Sequence, residues 1–128
     1  MLYVDTDLLL ALVKPRDRLK DKAAVFMRSH SATDLVTSSI SLLEIWFHYY
    51  KNNLPFVDES LHSMRSLVGD VWPVTADILH AAIPFSKSAG LSPADAVHAY
   101  FAKNTDGIVS TDAAFRRVPG LRHYDFTQ

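Results

Sequence analysis

Four acidic residues stand at positions where a carboxylate needs a reason. Asp5 lies in LYVDTDLLLAL, with apolar residues on both sides. Glu44 lies in SISLLEIWFHYY, Asp95 in LSPADAVHAYFAK and Asp112 in GIVSTDAAF. A buried charge without a partner is costly, or it shifts its pKa instead. Each acid alone has an ordinary explanation. Asp95 and Glu44 can close capping boxes on Ser92 and Ser41, Asp112 can cap a helical turn, and Asp5 can serve a turn. Taken together they are more specific, because convergent carboxylates repel one another strongly without a cation. The chain has no cysteine, and its six histidines show no metal-ligand spacing such as i, i+4. Oxygen ligands of this kind suit Mg²⁺ or Mn²⁺ rather than Zn²⁺. Such an ion can activate water and hold a phosphate.

Convergence depends on the elements that carry the acids. Leu2 to Val4 reads as a short buried strand ending at Asp5. Asp7 can cap a helix over Leu8 to Val13, and RDRLKDKAAVFMRSH continues with helical spacing. DLVTSS is a second strand running into serines that can cap the helix ISLLEIWFHYYKN. FVDESLHSMRSLV is a helix, and VWPVT is a strand whose proline suits an edge. Thr75 caps ADILHAAIPFSKSAG, which Pro84 is expected to kink. Ser92 and Pro93 open the helix of LSPADAVHAYFAKN. GIVST and LRHYDF are further strands, with DAAFRRV as a helical turn between them. Strands alternating with helices predict a parallel α/β sheet covered on both faces. Ligands bind such sheets beyond the C-terminal ends of the strands, where Asp5 and Asp112 emerge.

The bulk properties narrow the class. With 128 residues, 48% of them hydrophobic, the chain suits a single domain over residues 1–128 with a real core. A net charge of −1 excludes an overall cationic sheath, so nucleic-acid contacts must come from local patches. The N-terminus lacks a basic leader, and no apolar run approaches the roughly 20 residues of a membrane span. A cytoplasmic protein is expected.

At these residues the sequence resembles the PIN-domain ribonucleases, and among them the VapC-like toxins of toxin–antitoxin pairs. The matching stretches are VDTDLLLAL, SSISLLEIW, LSPADAVHAYFAK and IVSTDAAF, in that order and over essentially the whole chain. The resemblance implies a three-layer α/β/α domain with a central, mainly parallel sheet of about five strands. It implies metal-dependent hydrolysis of RNA, leaving a 5′-phosphate and a 3′-hydroxyl. Asp5, Glu44, Asp95 and Asp112 match the acids of the family pattern, as catalytic residues and as ligands of Mg²⁺ or Mn²⁺. Ser110, counted with the catalytic residues, takes a hydroxyl position where threonine is usual and is expected to position a carboxylate or the phosphate; Thr6 matches the usual Asp-Thr pair, and Phe115 matches an aromatic position. Two departures stand out. Asp7 replaces a usual Asn or Ser, and Ala114 stands where many members carry a further acid. The resemblance also implies a homodimer and a cognate antitoxin.

RNA contacts need local positive charge. Arg116, Arg117 and Arg122 follow Asp112 closely and are the first candidates for phosphate binding, ahead of the mixed run KPRDRLKDK. Ordinary solvated faces, or contacts to an acidic antitoxin segment, explain the same residues. The bulk of Trp46, Phe47, Tyr49 and Tyr50 suggests a partner surface beside the core. His98, three residues after Asp95, is the one histidine expected near the rim of the site. A PIN-like enzyme of RNA processing and an inactive PIN-like binding module are the competing functional readings. A flavodoxin-like receiver also clusters acids at strand ends, but its phospho-acceptor Asp and partner Lys are not visible.

Overall fold

The computed structural model describes residues 1–128. Five short strands form one sheet: β1 (Leu2–Val4), β2 (Leu35–Ser38), β3 (Asp70–Trp72), β4 (Ile108–Val109) and β5 (His123–Tyr124). Their order is β3-β2-β1-β4-β5, and every neighbouring pair is parallel. Six α-helices connect them: α1 (Thr6–Val13), α2 (Lys20–Arg28), α3 (Ser39–Lys51), α4 (Val57–Ser66), α5 (Ala76–Ala89) and α6 (Pro93–Ala102). Short 3₁₀ turns occupy Ala32–Asp34 and Ala113–Arg117.

Side chains alternate across the strands, so β1, β2 and β4 each feed two cores. Tyr3, Val36 and Ile108 point to one face, with Ala82 of α5 and Ala96, Val97 and Phe101 of α6. Val4, Leu35 and Val109 point to the other, with Leu8 and Leu9 of α1, Ala23 of α2, Ile45 and Tyr49 of α3 and Met64 of α4. The three-layer α/β/α architecture expected from the sequence is therefore present. So is the edge position of the strand before Pro73.

Two local expectations change. The cap of α1 is Asp5, not Asp7: Asp5 has extended backbone angles, and its Oδ1 accepts the Thr6 N–H at 2.7 Å. Ser38 stands at the N-cap of α3 but does not cap it, because its hydroxyl is used elsewhere. The α5 helix runs on through Pro84 to Gly90, which closes it in the left-handed region at φ 66°. Thr75 and Ser92 cap α5 and α6 as expected, accepting the N–H groups of Ile78 and Asp95.

Candidate active site

The sheet changes winding direction between β1 and β4, and a crevice opens beyond the C-terminal ends of those strands. Asp5 ends β1 there. Ser110 and Asp112 follow β4, Glu44 lies on α3 and Asp95 lies in the first turn of α6. A cleft of about 680 Å³ is lined by Asp5, Asp7, Glu44, Asp95 and Asp112. Leu10, Ile40, Leu43 and Phe47 form its apolar side, and Lys51 is its one lysine or arginine.

Hydrogen bonds fix the acids tightly. Ser110 Oγ donates to Asp5 Oδ2 at 2.7 Å and accepts the Asp112 N–H at 3.0 Å, so one hydroxyl ties both acids together. Asp112 Oδ1 accepts the Ala114 N–H at 2.9 Å and caps the turn Ala113–Arg117. Asp7 Oδ2 accepts the N–H and the hydroxyl of Thr111, which ties α1 to the segment after β4. Thr6 Oγ1 donates to Glu44 Oε1 at 2.7 Å. His98 is fully buried, and its Nε2 lies 2.5 Å from Glu44 Oε1 and 3.3 Å from Asp5 Oδ1. Ligand atoms of Asp5, Glu44 and His98 all lie within 4.8 Å of one another.

Residues 2–121 match the PIN domain family along their length. The chain belongs to the PIN-domain family. No curated protein matches it. Among solved structures, VapC20 of Mycobacterium tuberculosis, described as a Sarcin-Ricin loop cleaving toxin, is 21% identical with a TM-score of 0.78. That likeness covers 95% of this chain and 97% of the other. FitAcB from Neisseria gonorrhoeae is 18% identical with a TM-score of 0.73, covering 99% of each chain. A toxin–antitoxin complex from Klebsiella pneumoniae is 16% identical with a TM-score of 0.72, covering 95% of this chain and 96% of that one. At these identities the likeness is one of fold.

In this PIN domain the four acids share one cleft, but the tight cluster differs from the expected one. It comprises two carboxylates and an imidazole, with Asp95 and Asp112 on the surrounding wall. The expectation of a cluster without histidine is corrected by His98, whose ring adjoins Asp5 and Glu44. The i+3 spacing from Asp95 was the available signal, but His98 lies under the site rather than at its rim. Its partner Tyr3, and Ser38 bonded to Tyr3 in turn, carried no signal, since both read as strand residues. The expected capping box of Ser41 and Glu44 does not form: Ser41 bonds to Thr37 and Thr6, and Glu44 bonds to Thr6 and His98. Arg116 Nε donates to His123, whose ring contacts the Ser110 carbonyl, so Arg116 stays near Asp112. The Arg117 guanidinium lies over Gly90. Arg122 precedes β5 and lines a separate hollow with Lys103 and Asp106, at the N-terminal edge of the sheet. The sheet therefore separates Arg122 from the acids.

The electrostatics suit a divalent cation. Burial, with the charge of Asp5, pushes Asp7 up to about 6 despite its bonds from Thr111 and Leu8. Burial, with Asp5, Asp112 and Glu44, pushes Asp95 up to about 6 against the pull of His98. Burial raises Glu44 too, but bonds from His98 and Thr6 outweigh it and hold that carboxyl below its usual range. For His98, burial works against the charge, yet Tyr3, Asp5 and Glu44 together keep it well above the usual imidazole value. Carboxylates that resist ionisation beside one another are a donor set that a cation would relieve.

A pH dependence follows. Both raised aspartates favour the protonated form in the fold, so their stabilising contribution is full below about pH 4. It is lost as pH rises through about 6. For Asp7 a two-unit shift corresponds to about 3 kcal/mol at most, and half-exposed Asp95 contributes less. Thermal melts in EDTA should show falling stability between pH 4 and 7. Asp95→Asn should flatten part of that slope, and an unchanged slope would contradict the assignment.

Proposed function

We propose that the protein is a metal-dependent endoribonuclease that hydrolyses RNA phosphodiester bonds and serves as the toxin of a toxin–antitoxin pair. The observation that carries this reading is the meeting of Asp5, Glu44, Asp95 and Asp112 in one open cleft of a PIN domain. Asp5, Asp95 and Asp112 would hold Mg²⁺ or Mn²⁺, directly or through water, and Glu44 would bind the ion or orient the attacking water. The bound ion lowers the pKa of water and offsets charge developing on the phosphate. Ser110 fixes the Asp5 carboxylate and the backbone of Asp112 by hydrogen bonds. Arg116 and Arg117, which follow Asp112, serve as phosphate contacts along the approach, with Lys51 in the cleft lining. Water attacks the phosphorus and the P–O3′ bond breaks, which leaves a 5′-phosphate and a 3′-hydroxyl.

The proposed partners are an RNA substrate, a cognate antitoxin and a second copy of the chain. Leu43, Trp46, Phe47 and Tyr50 expose apolar bulk along α3, which supports a protein partner on that helix. The fold likeness to chains from toxin–antitoxin complexes supports the antitoxin. No helix is long and apolar enough to cross a membrane.

Incubation of the purified protein with total cellular RNA, followed by mapping of product ends, tests the reading. Discrete cuts with 5′-phosphate ends should appear with Mg²⁺ or Mn²⁺ and vanish with EDTA. Cleavage that persists in EDTA would sink the metal mechanism. Growth arrest on expression, relieved by a neighbouring antitoxin gene, separates a toxin from an RNA-processing nuclease.

A further inference from the structure

Beneath the acids runs a line of polar side chains with no place in the reaction. Tyr3, Ser38 and His98 are each fully buried in an otherwise apolar layer of α6 and the sheet. The Tyr3 hydroxyl lies 2.7 Å from Ser38 Oγ and 2.7 Å from His98 Nδ1. The Tyr3 ring also stacks on Phe101, with centroids 6.0 Å apart and planes 7° apart. The imidazole is therefore held at one nitrogen by a phenol that is itself locked in place. Its other nitrogen meets the carboxylates.

The geometry sets the ring behind the carboxylates. Glu44 and Asp5 line the cleft, whereas His98 is fully buried beneath them and does not line it. Its Nε2 lies 2.5 Å from Glu44 Oε1 and 3.3 Å from Asp5 Oδ1, and the hydroxyl of Thr6 lies 3.3 Å away. Its Nδ1 is taken by Tyr3. An ion in the cleft therefore meets the carboxylates, with the imidazole on their far side.

We propose that His98, braced by Tyr3 and Ser38, is a positioning residue that orients the Glu44 carboxylate for the metal and is not itself a ligand. This rests on the metal-dependent reading above. Outer partners of metal-binding side chains typically govern affinity by about 10- to 100-fold. The brace acts from β1 and β2 through α6 onto α3, so it links the sheet to a carboxylate that otherwise rides on a helix.

The test is Mn²⁺ binding to the full chain, measured by calorimetry, with electron spin-echo detection of nitrogen at the bound ion. Wild type should bind Mn²⁺ with no directly coordinated imidazole nitrogen. Tyr3→Phe keeps the stacked ring and removes only the brace; it should weaken binding by about tenfold. His98→Leu should weaken it further, and His98→Gln, which restores an N–H donor, should recover part of the loss. A folded Tyr3→Phe and His98→Gln that both bind as wild type would overturn the inference. So would a coordinated ring nitrogen in wild type. A wild type that binds no Mn²⁺ would overturn the metal reading itself, and this inference with it.

Discussion

Asp5→Asn should abolish metal-dependent RNA cleavage, with a loss of more than about a hundredfold, while leaving the chain folded. Asparagine is as good an N-cap as aspartate, so the bond to the Thr6 N–H survives and α1 still starts at Thr6. The side chain is similar in size and only 11% exposed, so packing changes little. What changes is charge. Asp5 is the acid that raises both Asp7 and Asp95, which places it electrostatically at the centre of the cluster. Neutralising it removes an anion that acts on both Asp7 and Asp95 and spoils the Oδ2 acceptor for Ser110. Two readouts check this together. Mn²⁺ should no longer raise the melting temperature, and the EDTA-treated variant should melt at or above wild type, because a repulsive charge has gone. A variant that cleaves RNA normally would remove Asp5 from the mechanism.

How far the sequence carries this site depends on what each residue's neighbours in the chain reveal. Asp5 and Asp112 were legible because strand ends of a parallel sheet share one edge, and that rule needs only element order. Asp95 was legible because Ser92 and Pro93 mark the helix start that holds it. The split of roles between Asp5 and Asp7 was not legible. Either residue can precede a helix, and the choice is made by Thr111, which lies far along the chain and takes both oxygen bonds at Asp7 Oδ2. Ser41 and Glu44 illustrate the same limit. Their spacing suits a capping box, but tertiary partners Thr6, Thr37 and His98 claim their oxygens instead. Arg122 lies away from the acids for a topological reason. It is close to Asp112 in sequence, but the chain crosses the sheet between them and starts β5 at the opposite edge. His98 and Tyr3 could be placed only by the register of β1 against α6, which local spacing does not encode.

Phe115→Ala should be the most damaging single change outside the acids. Its ring is fully buried among Tyr3, Val36, Ile108 and Val118, in the core layer that also holds α5 and α6. Truncation of such a ring costs about 3–5 kcal/mol through lost burial and the cavity left behind. For a chain of this size that is roughly 10–20 °C of melting temperature. The loss should reach the chemistry as well. The ring sits in the turn Ala113–Arg117, and Asp112 caps that turn. The same Asp112 N–H bonds Ser110, which in turn holds Asp5. The aromatic residue three positions after the acid is therefore an anchor: it pins the turn to the core so that Asp112 and Ser110 keep their places. Phe115→Leu should recover most of the stability, since it fills much of the cavity. Phe47→Ala is the control. Its ring is 62% exposed, so stability should change by less than about 0.5 kcal/mol. Equal destabilisation in the two variants would contradict the anchoring role. So would full Mn²⁺ affinity in a folded Phe115→Ala, because a loosened turn cannot hold Asp112 in register with Asp5.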